Sequence, residues 1–255
     1  MGAGHAHGLY RPGTSPLHGL APECKLLAVF LFVLVVVATP REQFWAFGLF
    51  GLVLVAVAAV GRVPLGYVLR RLVVEVPFVL FAVALPFVAR GERVDVLGLS
   101  LSESGLLAAF NILAKATLGA SATILLAATT DVRGLVRGLE RLRLPRSFVA
   151  ILSFMIRYAD VIAGEMQRMK VARASRGYDP RNLLQARALA ASAGSLFLRA
   201  YERGERVYLA MVSRGWTGSM PVLDERRATS SQWATAMVLP SLALLVSAGA
   251  WTVQV

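Results

Sequence analysis

Cysteine is nearly missing from this chain: of 255 residues, only Cys24 is one. No intrachain disulfide can form, and there is no CxxC metal motif. Histidine is almost as scarce. His5, His7 and His18 all lie in the N-terminal tail, and the pair His5-Ala6-His7 has no further ligands clustered near it to complete a metal site. The G-x-x-x-x-G-K-[ST] phosphate loop is absent, so any ATP hydrolysis linked to the chain must come from a partner. Charge is thin as well, at 16% of residues. The polar residues inside apolar runs, Glu75, Asn111 and Lys115, supply no nucleophile, paired carboxylates or histidine cluster, which argues against an embedded enzyme. Inverted repeats with broken helices in matching halves, the pattern of a secondary transporter, are not visible. The N-terminus lacks a signal-peptide pattern, and its first apolar run, from near Leu26, is expected to remain as an anchor.

What is present is apolar sequence in long runs. Hydrophobic residues make up 56% of the chain and the mean hydropathy is +0.62. A soluble domain holds about 45–50% on a comparable count. The excess is concentrated, and this predicts an all-α, polytopic membrane protein with about five transmembrane helices. Residues 1–25 form a polar N-terminal arm, expected to be a surface tail. Spans one to four occupy 26–130: Leu26–Thr39 stopped by Pro40, Phe44–Val60, Leu72–Ala89 and a stretch within Ser104–Thr130. Lys25 is placed to snorkel at the near end of span one. Glu75 is placed to reach headgroups or Arg71, and residues 90–103 read as a polar loop. A charge within a span is a functional candidate by default, but Lys115 reads more readily as a structural residue that snorkels or faces another helix. The C-terminal span, within 230–255, runs from Trp233 to Trp251 with a tryptophan at each interface.

Between the fourth and last spans the character changes. Residues 131–227 hold 18 of the 27 basic residues and nine of the 15 acidic ones, most of a net charge of +12. Basic residues concentrated between apolar runs fit the positive-inside rule better than nucleic-acid binding. Arg62, Arg70 and Arg71 follow span two, against Arg41 after span one and Arg90 and Arg93 after span three. The N-terminus and the 131–229 insert are therefore expected in the cytoplasm and the C-terminus outside. Within the insert, Val132–Arg143 alternates Leu and Val with Arg at helical spacing and reads as an interfacial amphipathic helix. Pro145 ends it. Two longer helices follow, Ser147–Arg176 and about Leu183 to Arg214. Arg157 and Asp160 argue against a full crossing by the first of them.

Each of these helices closes on the same signature. Val171–Tyr178 reads VARASRGY and Leu209–Trp216 reads LAMVSRGW, 38 positions apart. They agree at Ala172/Ala210, Ser175/Ser213, Arg176/Arg214 and Gly177/Gly215, and an aromatic follows each glycine. Glycine is favoured just past a helix end, where the chain turns left-handed. Arg-Gly there is common punctuation; it is the duplication within one basic segment that marks Ser175, Arg176, Gly177, Ser213, Arg214 and Gly215 as a candidate site. Two cationic forks on two helix tips suit two similar acidic sockets.

Taken together the chain resembles the transmembrane T component of energy-coupling factor (ECF) transporters, the EcfT/CbiQ family. Ser15-Pro16-Leu17-His18, Pro22 and Lys25-Leu26-Leu27 are similar to the family's entry into span one. Leu142–Arg146, Ile151–Met155 and Arg157-Tyr158 resemble its cytoplasmic stretch, and the two Ser-Arg-Gly tips its paired Ala-Arg-Gly signatures. The resemblance implies a protein that is not an enzyme and needs no cofactor. It implies that Arg176 and Arg214 dock into grooves on two ABC-type ATPase subunits of the CbiO/EcfA type. The motion would pass to a substrate-binding S component of the CbiM type. The N-terminal stretch and the Leu-Pro-Arg region resemble the cobalt branch, where the metal sits on the partner subunit. Another ECF substrate, nickel or a vitamin such as biotin, stays open, as does a basic membrane scaffold unconnected with transport.

Overall fold

The computed structural model describes residues 9–89, 93–96, 99–178, 186–218 and 227–252. These belong to two compact units, one made of Leu9–Gly138 with Arg226–Val255, the other containing Leu139–Glu225.

The first unit is a bundle of apolar helices. After a single turn, α1 (Pro16–Gly19), helix α2 spans Pro22–Ala38. Pro22 opens it in the first turn, where a missing N–H costs nothing, and Glu23 faces the positive end of its dipole. The helix thus begins before Leu26, and part of the expected polar arm is folded. Ser15, Glu23, Cys24 and Lys25 are buried, and His18 is held between Ser15 Oγ (2.6 Å) and the Arg11 carbonyl (2.9 Å). His5 and His7 lie outside the described residues. Helix α3 is Phe44–Val60.

The third span runs from Leu65 to Val88 in three pieces: α4 (Leu65–Arg71), a 3-10 stretch (Leu72–Glu75) and α5 (Val76–Val88). Pro77 sits at the start of α5; its ring and missing N–H disturb the preceding helical turn, which tightens instead. Arg70 and Arg71, counted above with the connection after span two, are therefore helical. Glu75 is buried and accepts a hydrogen bond from Thr117 Oγ1 (2.9 Å). It turns toward the bundle rather than toward headgroups, as an ionisable group within a span does. The expected polar loop contains a two-stranded antiparallel hairpin, β1 (Arg93–Val96) with β2 (Leu99–Ser102), pairing Arg93 with Ser102 and Val96 with Leu99. Helix α6, Glu103–Thr129, starts at an N-cap where Ser102 accepts from the Gly105 amide. Helix α10 is Ser230–Thr252.

Lipid offers no hydrophobic drive between helices, so close packing of small residues must supply the cohesion. Helix α10 turns Ala236, Ala243, Ser247 and Ala250 inward and packs mainly on α2. Phe32 and Phe50 meet edge to face at 6.0 Å in the centre. Helix α7, Val132–Arg141, lays Gly134 and Gly138 against the start of α2. A Cβ at Gly138 would come within 2.7 Å of the Leu26 side chain and 3.0 Å of the Glu23 amide nitrogen, so only glycine permits this approach.

Two lysines, Lys25 buried and Lys115 partly buried, tie this unit together. Lys25 at the start of α2 donates to the Thr129 carbonyl at the end of α6 (2.9 Å). Lys115 on α6 donates to the Val37 and Thr39 carbonyls at the end of α2 (2.7 and 3.0 Å). Each helix therefore satisfies the orphan carbonyls of the other, with a cation at the negative end of each dipole. Lys25 does not snorkel to water. Lys115 faces another helix, one of the two structural roles expected for it.

The second unit contains α8 (Arg146–Ser175) and α9 (Ala186–Val212). Among the described residues, four helices are by length and composition able to cross a membrane: Leu65–Val88, α6, α8 and α10, with α3 shorter. Helix α8 qualifies because residues 147–164 carry only two charges, Arg157 and Asp160.

Candidate functional site

The two Ser-Arg-Gly copies form matching helix ends. Arg176 is the C-cap of α8, at φ −90° and ψ 14°. Gly177 follows in the left-handed region at φ +73°. Its amide donates to the Ala174 carbonyl (3.0 Å), and the Tyr178 amide reaches back to Arg173 (3.1 Å). This pair of bonds is the Schellman closure. The end of α9 repeats it: Gly215 has φ +80°, its amide donates to Val212 (2.9 Å) and the Trp216 amide to Met211 (3.0 Å). The serines repeat as well, with Ser175 Oγ donating to the Ala172 carbonyl and Ser213 Oγ to the Ala210 carbonyl, each at 3.0 Å.

This closure has a consequence for the arginines. The last carbonyls of both helices are served by the chain's own amides, so neither guanidinium is needed as a cap. Arg176 and Arg214 are exposed, and among the described residues neither makes an ion pair or a side-chain hydrogen bond. Each is a rigidly mounted, unspent cationic fork. At each glycine an added Cβ would meet nothing within 4 Å, so the backbone dihedral alone demands glycine there.

The same 38-residue offset carries further than the motif. It aligns Glu165 of α8 with Arg203 of α9, and these two form an ion pair. Each lies 11 residues before its own tip arginine, about 16 Å along either helix. The helices are therefore joined at a point equidistant from the two tips. Beside this joint lies a cleft of about 360 Å³ lined by Phe154, Tyr158, Val207, Tyr208, Met211 and Trp216. Trp216 packs edge to face on Tyr208 at 6.0 Å, so the aromatic after Gly215 anchors the α9 tip on the body of its helix. Neither the Glu165–Arg203 joint nor the Trp216 anchor is evident from the motif itself. Extending the repeat register backwards by eleven residues is the signal that finds the first.

No group of three or more His, Cys, Asp or Glu residues that could hold a metal occurs among the described residues. The family profile described as cobalt transport protein, CbiQ, matches residues 13–223 and so takes in both tips. The chain belongs to the CbiQ family. This CbiQ chain is 28% identical over 225 residues to the energy-coupling factor transporter transmembrane protein EcfT of Bacillus subtilis, covering 83% of this chain and 84% of that one. It is 29% identical over 260 residues to the EcfT of Brevibacillus brevis, covering 96% and 97%. A putative fused cobalt transport protein CbiMQ from Methanocorpusculum labreanum is 28% identical over 135 residues, 52% of this chain and 22% of the fusion. The CbiQ chain is thus a multi-pass membrane protein and the transmembrane coupling component of an ECF transporter. Its relatives are named as transporter membrane components rather than enzymes.

Proposed function

We propose that this coupling component takes ATP-driven motion from two cytoplasmic ABC-type ATPase subunits, of the CbiO/EcfA type, through Arg176 and Arg214. It passes the motion to a substrate-binding membrane subunit of the CbiM type. The observation that carries this reading is the paired Schellman closure, which leaves two exposed arginines on two equivalent helix tips. A guanidinium stays charged when partly buried and binds one carboxylate through two parallel hydrogen bonds. Joined at Glu165 and Arg203, α8 and α9 can act as two levers with equal arms, the geometry of a hinge or shear transition.

In this reading the N-terminus and residues 131–229 are cytoplasmic, and Arg157 and Asp160 keep α8 from crossing. The arm 1–25, the spans within 26–130 and the last span within 230–255 flank that insert. The cargo is cobalt, held by the partner subunit. The family description and the CbiMQ name support this. The EcfT names of other relatives specify no cargo, and another ECF substrate, nickel or a vitamin such as biotin, is the second reading.

Cells expressing the chain with its ATPase and substrate-binding partners should accumulate radioactive cobalt and lose that uptake when Arg176 and Arg214 are both changed to alanine. Vitamin uptake without metal uptake would reassign the cargo and leave the coupling role in place. Normal transport and ATPase assembly by the double variant would reduce both tips to helix caps.

A further inference from the structure

The membrane unit contains a second, larger cleft that the coupling role does not use. Its volume is about 780 Å³, and it is open on one side between α2, α3, α6 and α10. Its lining changes character along its length. At one end are Lys25, Thr129, Gln232, Thr235 and Gly19. These lie at the start of α2, the end of α6, the start of α10 and the turn before α2, so they share one face of the bundle. Val60, the last residue of α3, lies at that level too. Away from that end the lining is wholly apolar, down to Leu52 on α3, Ala122 on α6 and Leu242 on α10. From Val60 to Leu52 is about 12 Å of helix, and from Gln232 to Leu242 about 15 Å. Those depths match one leaflet, half of a hydrocarbon core about 30 Å thick.

Glu23 and Asp131 lie at the same end of the bundle, but the one charged residue that lines the cleft is Lys25. Lys25 is 6% exposed and lines the cleft. Its ammonium has three donors; among the described residues it has one acceptor, the Thr129 carbonyl, and no carboxylate within ion-pair distance. Arg11, whose amide bonds the Ala128 carbonyl (2.9 Å) and whose guanidinium lies over the Tyr67 ring (5.3 Å), and Arg62, two residues beyond Val60, are exposed at the same end of the bundle. A membrane helix from a partner would need an apolar track through both leaflets. This track ends after one leaflet and carries its cations at one end.

We propose that the cleft is a binding site for one anionic phospholipid. Its phosphate meets Lys25 at the polar end, and an acyl chain runs down the track between α3 and α10. The site holds a lipid from the leaflet on the side where α2 starts, and that lipid fills the contact between helices that touch each other only partly. This goes beyond the coupling role and does not depend on it.

Native mass spectrometry of the full-length complex, extracted in mild detergent and exchanged against equal amounts of phosphatidylglycerol and phosphatidylcholine with identical chains, tests the site. The unaltered chain should retain one lipid, with phosphatidylglycerol preferred about fivefold or more, the effect of one basic residue on an anionic headgroup. Lys25→Met should bring that ratio close to one. Ala56→Trp should abolish retention of both lipids, because Ala56 lines the cleft yet is exposed and can accept bulk without repacking. Excess glycerol phosphate should not displace the lipid. Equal retention of the two lipids by the unaltered chain, or displacement by glycerol phosphate, would overturn the proposal. So would an Ala56→Trp chain that keeps its lipid but loses a copurifying membrane protein, since the cleft would then be a protein interface. If Lys25→Met fails to insert, the lipid ratio on the unaltered chain and the Ala56→Trp result decide the matter alone.

Discussion

The two units solve the same problem, the unsatisfied carbonyls at a helix C-terminus, in opposite ways. In the membrane unit, α2 and α6 have their ends served by lysines from each other. In the other unit, α8 and α9 serve their own ends through glycine and the amides that follow. The first solution engages each cation inside the chain and binds two helices that run in opposite directions. The second releases them: Arg176 and Arg214 keep their full bonding capacity for something outside the chain. Basic residues near helix ends are thus not equivalent, and what separates them is who supplies the cap.

The sharpest way to break the comparison is at the tips. Arg176→Glu with Arg214→Glu should abolish ATPase binding in a pull-down from membranes while leaving the chain inserted and folded, because the caps do not use either side chain. A single Arg→Ala change should weaken ATPase binding by about 2–5 kcal/mol, or about thirtyfold and more, as truncating one partner of a buried charge pair does. Lysine at either position should rescue in part, since it keeps the charge and lacks the fork. Changes at Arg141 or Arg187 should do far less.

Next comes the membrane unit. Lys115→Leu leaves the Val37 and Thr39 carbonyls without their lysine donor and should cost about 1–3 kcal/mol of stability. Thermal unfolding in detergent would read this as a lowered midpoint, with ATPase binding retained at permissive temperature. An equal loss on Arg176→Leu would erase the distinction between engaged and released cations. Smaller again is Gly215→Ala. The Cβ has open space, so the cost is the left-handed backbone alone, about 1–2 kcal/mol. It should fray the end of α9 and show as faster amide hydrogen exchange at Trp216, with the rest of the helix unchanged.

The smallest change in the set concerns the joint. Glu165→Arg should impair transport, and adding Arg203→Glu should restore it, because the swapped pair can re-form between the same positions. No recovery in the double variant would mean that the equal-arm joint plays no part in coupling.

Much of this architecture is local in the sequence and could be read there. The apolar runs announce α3, α6 and α10, because hydropathy over one span needs no knowledge of neighbours. The glycines announce the ends of α8 and α9, because positive φ is a property of a single residue. The tip arginines were legible for the same reason, through a repeat that lies within the chain itself. The folded entry to α2 was less legible: Pro16, Pro22 and a buried Glu23-Cys24-Lys25 read as polar sequence until α6 and α10 are placed around them. The β1–β2 hairpin was signalled by the alternation Leu99-Ser100-Leu101-Ser102, but its charged flanks read as loop.

The sequence by itself determined the class of protein, the helices and the two exposed tips, since each follows from composition or from residues within a few positions of one another. Tertiary structure alone decided where the buried polar groups go. Lys25 finds Thr129 across 104 residues, Lys115 finds Val37 across 78 and Thr117 finds Glu75 across 42. A charge within an apolar helix must find a partner, but its own segment does not say which. Only the packing that brings distant helix ends together selects the partner, because the cost of leaving a carbonyl or an ammonium unsatisfied is felt after water has been removed from both.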